Sequence, residues 1–277
     1  MKCTNNQLIE FFKRIKKDHI YVFEISDLRG SYRHSPLKII ECGIGENESD
    51  FYILSVDKYS NDYCLNVRSQ GLLFAYNVFD HLTKEYNILS PQVGLMVTTD
   101  NNLLFEDDNL NLREKCKRNI DICTGKVLLY DSKTKPFFDL KSNIEYKKLL
   151  FDDVELVNLY MESCEEQNDG NTLQYYFETC VLYSDIEYGD VHVMIKNDIV
   201  IGYIACTNYY DNIWDVMYVY VNEQERNNSY GSMLINYYAN YISNYNGVPY
   251  YSNPNGIASE KSANKAGFNL VCTTYTK

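Results

Sequence analysis

The chain has 277 residues, enough for one large domain or two small ones, and a formal net charge of −12. No apolar run reaches the length of a bilayer span. The start, MKCTNNQLIEFFKRIKK, lacks the apolar core and small-residue cleavage site of a signal peptide, so no membrane partner is expected. The charge is uneven: from Lys141 onward 18 Asp and Glu stand against 8 Lys and Arg. That distribution argues against nucleic acid, which needs a basic footprint, and suits attraction of a cationic amine.

Nine cysteines without a CxxC pair, and four histidines without HExxH, indicate a reduced, cytoplasmic protein with no metal site, in which each Cys is a small core residue. A monomer or homodimer is expected.

Thr4 or Asn5 caps a first helix, with Leu8, Phe11, Phe12 and Ile15 on one face. His19–Ile25, HIYVFEI, reads as a strand or extended segment, and Arg29-Gly30-Ser31 as a turn. Short strands follow at Lys38–Glu41, Phe51–Val56 and Tyr63–Val67, the first two separated by a turn region over Gly43–Asp50. Leu72–Tyr86 has helical spacing at Leu73, Tyr76, Phe79 and Leu82, and Val93–Thr99 is β-branched and apolar. A basic-faced helix over Leu112–Ile122 and a strand over Lys126–Tyr130 complete a mixed α/β half without a catalytic motif. The polar segment Ser132–Ser142, with Pro136, reads as a linker between domains 1–140 and 141–277.

In the second half, Asp152-Asp153 caps a helix with Val154, Leu156, Val157, Tyr160 and Met161 on one face, and Thr172–Leu182 suits a second helix. Val191–Lys196, a turn at Asn197-Asp198, and Ile199–Thr207 form a hairpin. Ile213–Val221 is a third strand. Ser229–Tyr245 is a helix burying Leu234, Tyr238, Tyr241, Ile242 and Tyr245, ended by Gly247. Strand Val248–Ser252, helix Ile257–Ala266 and strand Phe268–Tyr275 close the order.

The stretch Val219–Leu234, VYVNEQERNNSYGSML, runs from strand through polar loop to helix start. The first turn of a helix offers backbone N–H groups and partial positive charge, which suits a pyrophosphate. The stretch resembles the acyl-CoA-binding motif of the GNAT superfamily of N-acetyltransferases, V-x-x-x-x-R/Q-x-x-G-x-G/A: Val221, Arg226 and Gly231 match, and Ser229 stands in place of the first Gly. Ile257–Phe268, IASEKSANKAGF, resembles the GNAT C-terminal signature through Ala258, Ser259, Lys265, Gly267 and Phe268.

The resemblance implies an α/β (α+β) GNAT-like mixed sheet flanked by helices in the C-terminal half. The N-terminal half is then a degenerate GNAT-like domain or an unrelated mixed α/β domain. It implies acetyl-CoA as acyl donor, and a small-molecule or peptide amine as acceptor. Val219 and Val221 then lie along the pantetheine, and Arg226, Asn227, Asn228, Ser229, Tyr230, Gly231 and Ser232 at the pyrophosphate. Asn255 and Ser259 lie at the pantetheine arm or thiol end.

The candidate bases are Asp215 and Glu223, flanking the key strand. Many members carry a general-acid Tyr where this chain has Ala263, so Tyr250, Tyr251 or a water takes that part. Ser229 and Ala263 leave a second reading open, a non-catalytic GNAT-like binding or regulatory module.

Overall fold

The computed structural model describes residues 2–18, 20–30, 37–90, 92–107, 110, 122–133, 143–165, 189–210, 212–254 and 256–277; the side chains of 163–165, 209 and 210 are not described. The helix expected over Thr172–Leu182, nearly all of that over Leu112–Ile122, most of the linker Ser132–Ser142, Ser31 and Asn255 lie outside these residues. Among the described residues no helix is long and apolar enough to cross a membrane. Cα packing divides the chain into two compact units, Met1–Lys126 with Cys272–Lys277, and Val127–Val271.

The first unit contains β1 (Lys2–Cys3), α1 (Asn5–Arg14), α2 (Val22–Arg29), β2 (Leu37–Ile44), β3 (Phe51–Asp57), β4 (Tyr63–Arg68), α3 (Leu72–Tyr86), β5 (Leu95–Thr99), α4 (Leu103–Glu106) and the end of β12 (Phe268–Thr276). α1 starts at a capping box: Gln7 N–H donates to Thr4 Oγ1, and Thr4 N–H donates to Gln7 Oε1. The segment expected as a strand or extended segment over His19–Ile25 is instead helical from Val22 onward, and His19 lies outside the described residues. Its β-branched residues favour a strand locally, but Val22, Ile25 and Leu28 fall at helical spacing, are all buried, and are stopped by left-handed Gly30.

α3 buries Ala75, Val78, Phe79 and Leu82 against the sheet; Leu73, expected on that face, is 73% exposed. β2, β3 and β4 are antiparallel neighbours, and β5 lies parallel to β4 along all five of its residues, Tyr63–Val67 opposite Leu95–Thr99. Tyr275 and Thr276 of β12 pair antiparallel with Thr99 and Thr98.

The second unit takes up the last residues of β6 (Cys123–Tyr130). It continues with β7 (Ile144–Lys148), α5 (Val154–Glu165), β8 (Gly189–Lys196), β9 (Ile199–Tyr210), β10 (Ile213–Val221), α6 (Tyr230–Asn244), β11 (Val248–Ser252), α7 (Gly256–Lys265) and the start of β12. The sheet order is β12-β6-β11-β10-β9-β8-β7, with β10 and β11 parallel. Asn197 and Asp198 both take left-handed φ (52° and 61°), as a two-residue type I′ hairpin turn requires.

α6 and α7 cover one face, where Leu234, Tyr238, Ile242, Ala263 and Phe268 pack on Met194, Ile204 and Val216. α5 covers the other through Leu156 and Tyr160, against Val193 and Tyr203. Tyr245, expected to be buried, is 69% exposed because the helix ends there and Asn246 turns left-handed. Both units share one order: three antiparallel strands, a 15-residue helix, then a strand parallel to the third.

Candidate active site

The two parallel pairs differ. β10 and β11 pair only over Ile213–Asp215 opposite Val248–Tyr250, yet β10 runs on to Val221 along β9. Beyond Asp215 its other edge faces no strand among the described residues, so the pair forms a fork.

A β-bulge accompanies the parting. Val216 pairs with Cys206 and Tyr218 with Ala205, so Met217 is an extra residue. The bulge shifts the alternation by one. Trp214 and Val216 precede it on the α6 face, and Val219 and Val221 follow on the same face, while Tyr218 and Tyr220 pack on the α5 side. Gly202 sits opposite Val221, where an added Cβ would lie 2.7 Å from the Tyr220 carbonyl oxygen; glycine is what lets β9 close on β10 there.

After Val221 a 3₁₀ turn at Glu223–Glu225 leads into the polar loop and α6. Asn227 and Ser229 both take left-handed φ (67° and 64°). Ser229 precedes α6 without capping it through its side chain, and the helix's first turn holds no acidic residue. That turn's N–H groups have no acceptor within the helix. A Cβ added at Gly231 would meet Ser262 Oγ at 3.7 Å and Val221 Cγ2 at 3.8 Å, ordinary contacts. Tyr230 and Ser232 are buried.

The chain is acidic overall, but the loop's carboxylates are each matched. Glu223 pairs with Arg226 at 3.1 Å, and Glu225 takes Lys196 Nζ at 2.7 and 2.9 Å. Arg226 folds back on its own loop, donating to the Val221 carbonyl at 3.2 Å over the Tyr220 ring. Asn228 donates to the Glu225 carbonyl. Lys196, which the sequence did not single out, lies 5.6 Å from the Tyr230 ring centre beside the helix start.

Asp215 ends the paired part of the fork and is 0% exposed. The Ser252 N–H donates to it at 2.8 Å and the Ser252 hydroxyl at 2.5 Å. Burial raises this carboxyl, and hydrogen bonds from Ser252 and Val216 only partly oppose it, leaving it near 7. Ser252 is half-buried, whereas its partner Asp215 is wholly enclosed. Glu223 is on the outside of the loop, its side chain 76% exposed.

Tyr251 is buried against Phe268; burial pushes its phenol up to about 12, opposed by a hydrogen bond with half-buried Ser259 of α7. Asp215 and Ser252 thus meet at the β10–β11 end of the fork, and Tyr251, their neighbour on β11, turns to the α6 side against Phe268. Val219, Val221 and residues 226–232 gather at the loop end, and Glu223 stands apart from the reacting end.

No curated protein is significantly similar to this sequence. Among solved structures, a Drosophila protein is similar over 100% of this chain and 97% of its own, with 12% identity and TM-score 0.56. An acetyltransferase of the GNAT family from Colwellia psychrerythraea is similar over 97% and 95%, with 12% identity and TM-score 0.50. A GCN5-related N-acetyltransferase from Kribbella flavida is similar over 93% of each chain, with 9% identity and TM-score 0.50. At these identities the likeness is one of fold. The sequence of residues 154–268 matches the Acetyltransferase (GNAT) family model, so this segment, which spans the fork, the polar loop and both helices over it, is a domain of the GNAT acetyltransferase family.

Proposed function

We propose that this protein transfers an acetyl group from acetyl-CoA directly to an amine of a small molecule or peptide. The observation that carries the reading is the fork between β10 and β11, opening beside a helix start with neither a side-chain cap nor an acidic first turn. An open strand edge takes an extended, amide-bearing chain by strand addition, which suits the pantetheine arm along Val219–Val221. The N–H groups of the first turn of α6 suit the pyrophosphate, with residues 226–232 around it. Ser259 stands at the thiol end. Bound acetyl-CoA supplies an activated thioester carbonyl.

The chain's own contribution is positioning and proton movement. The Ser252 hydroxyl takes a proton from the incoming amine while passing its own to Asp215, whose carboxyl near 7 is balanced for a general base. Tyr251, protonated at neutral pH, is the donor to the leaving sulfur in place of the residue at Ala263. Glu223 contributes to the loop's charge balance with Arg226.

Titration calorimetry with acetyl-CoA, followed by thiol release across a panel of amines, tests the reading. Micromolar binding and amine-dependent release of CoA are expected. Absence of binding at millimolar acetyl-CoA sinks it, and binding without release for any amine favours the non-catalytic module.

A further inference from the structure

We propose that Cys3 and Cys42 form a reversible dithiol–disulfide site, oxidised by small-molecule disulfides of the glutathione class. The two residues oppose one another directly where β1 meets β2 in antiparallel register, and their sulfurs lie 3.8 Å apart. Opposed residues of an antiparallel pair have Cα atoms about 4.5–5.5 Å apart, inside the window of about 4.4–6.8 Å that a disulfide spans. The bond therefore forms by side-chain rotation without moving strands. Neither residue is in a disulfide in this structure.

The two thiols have different parts. Cys3 is half-exposed, whereas Cys42 is 2% exposed. The hydrogen bond from Cys42 holds the Cys3 thiol below its ordinary value against the effect of burial; the same hydrogen bond, with burial, pushes Cys42 up. Cys42 Sγ also lies 3.3 Å from the Cys3 carbonyl oxygen and 3.7 Å from Asn5 Oδ1, which keeps it turned toward β1. Cys3 is the entry thiol and Cys42 the resolving one.

The Cys3 thiolate attacks one sulfur of oxidised glutathione, forming a mixed disulfide and releasing one glutathione thiolate, which takes up the proton Cys3 lost. Cys42 gives up its proton and attacks Cys3 Sγ, displacing the second glutathione as thiolate, which that proton neutralises. Two protein thiols are oxidised, and one glutathione disulfide is reduced to two thiols. The bond closes a loop that contains α1 and α2, which restricts the unfolded chain. Because Cys3 is open to solvent, excess reduced glutathione reverses it.

The test uses the full chain, incubated with excess oxidised glutathione, then denatured, alkylated and mapped by mass spectrometry. The expected product has lost the mass of two hydrogens and yields a Cys3–Cys42 cross-linked peptide. Its thermal unfolding midpoint rises by about 5 °C or more and returns with dithiothreitol. Cys42→Ser should stop at a glutathione adduct on Cys3, and Cys3→Ser should leave Cys42 alkylatable. A persistent Cys3 adduct in the unsubstituted protein, a cross-link between other cysteines, or Cys3 and Cys42 both remaining free would overturn the proposal.

Discussion

Gly231 separates ligand space from packing space. A side chain there meets only ordinary contacts within the protein, and an acidic residue in the first turn favours a helix. Gly231→Asp should therefore leave the unfolding transition unchanged or slightly raised. Two like charges about 4 Å apart at an effective dielectric near 20 repel by about 4 kcal/mol, so acetyl-CoA affinity should fall by at least about a hundredfold in calorimetry. Normal affinity in the folded variant would remove this loop as the pyrophosphate cradle.

Asp215 gives a pH signature. Its carboxyl is raised from the ordinary 3.8 to about 7, so the folded state favours the protonated form. The resulting stability is complete below the ordinary value and is lost as pH rises through 7, at about 1.4 kcal/mol per unit between the two. Asp215→Asn keeps an acceptor for the Ser252 N–H and removes the titration. Its denaturation free energy, measured against the unsubstituted protein, should lack that slope. The activity of the unsubstituted protein should climb with pH through 7, and the variant should lose that limb; an unchanged profile would exclude the Asp215–Ser252 relay. Asp215 was visible as a candidate in the sequence, but Ser252 was not, because their meeting depends on the register of two parallel strands separated by a whole helix.

The bulge at Met217 decides which side chains face α6. Deleting Met217 removes the extra residue and joins Val216 to Tyr218 in strict alternation, so Tyr218 and Tyr220 stay on the α5 side and Val219 and Val221 keep their face, while the local bend that accompanies the parting is lost. Urea denaturation should show a loss of no more than about 3 kcal/mol, and acetyl-CoA binding should weaken because β10 no longer bends away from β11. Full affinity in this deletion would show that the fork does not depend on the bulge.

Elements with a strong local pattern were legible: β10, β11 and α3 have the bounds their alternation or spacing predicts. β7 was missed because IEYKK carries the polar composition of an edge strand, and α2 was misread because its β-branched residues hide a helical face. The polar loop was legible because its chemistry is local. The fork itself had no local signal.

The second unit draws on residues before the expected boundary at 140: Val127, Leu128 and Leu129 of β6 pair with Ser252, Tyr251 and Tyr250 of β11, beside the fork. A fragment over 122–271 should thus keep acetyl-CoA affinity within about tenfold of the full chain, the loss expected if about 1.4 kcal/mol of support is removed. A fragment starting at residue 141 leaves the β11 edge bare and should bind far more weakly or aggregate. Equal affinity of two soluble fragments would show that β6 does not support the site.

The exchange of the last strand has a consequence for synthesis. The first unit contains Cys272–Lys277, and Thr98 meets Thr276 across a sequence separation of 178 residues. A ribosome delivers β5 long before its antiparallel neighbour exists, so the edge of β5 waits through the translation of the whole second unit. Closure of so distant a pairing is slow on contact-order grounds. Nascent chains stalled after residue 271 should show protease cleavage around Leu95–Thr99 that vanishes once Thr276 has emerged; protection of β5 in the stalled chain would mean that the first unit matures without its final strand.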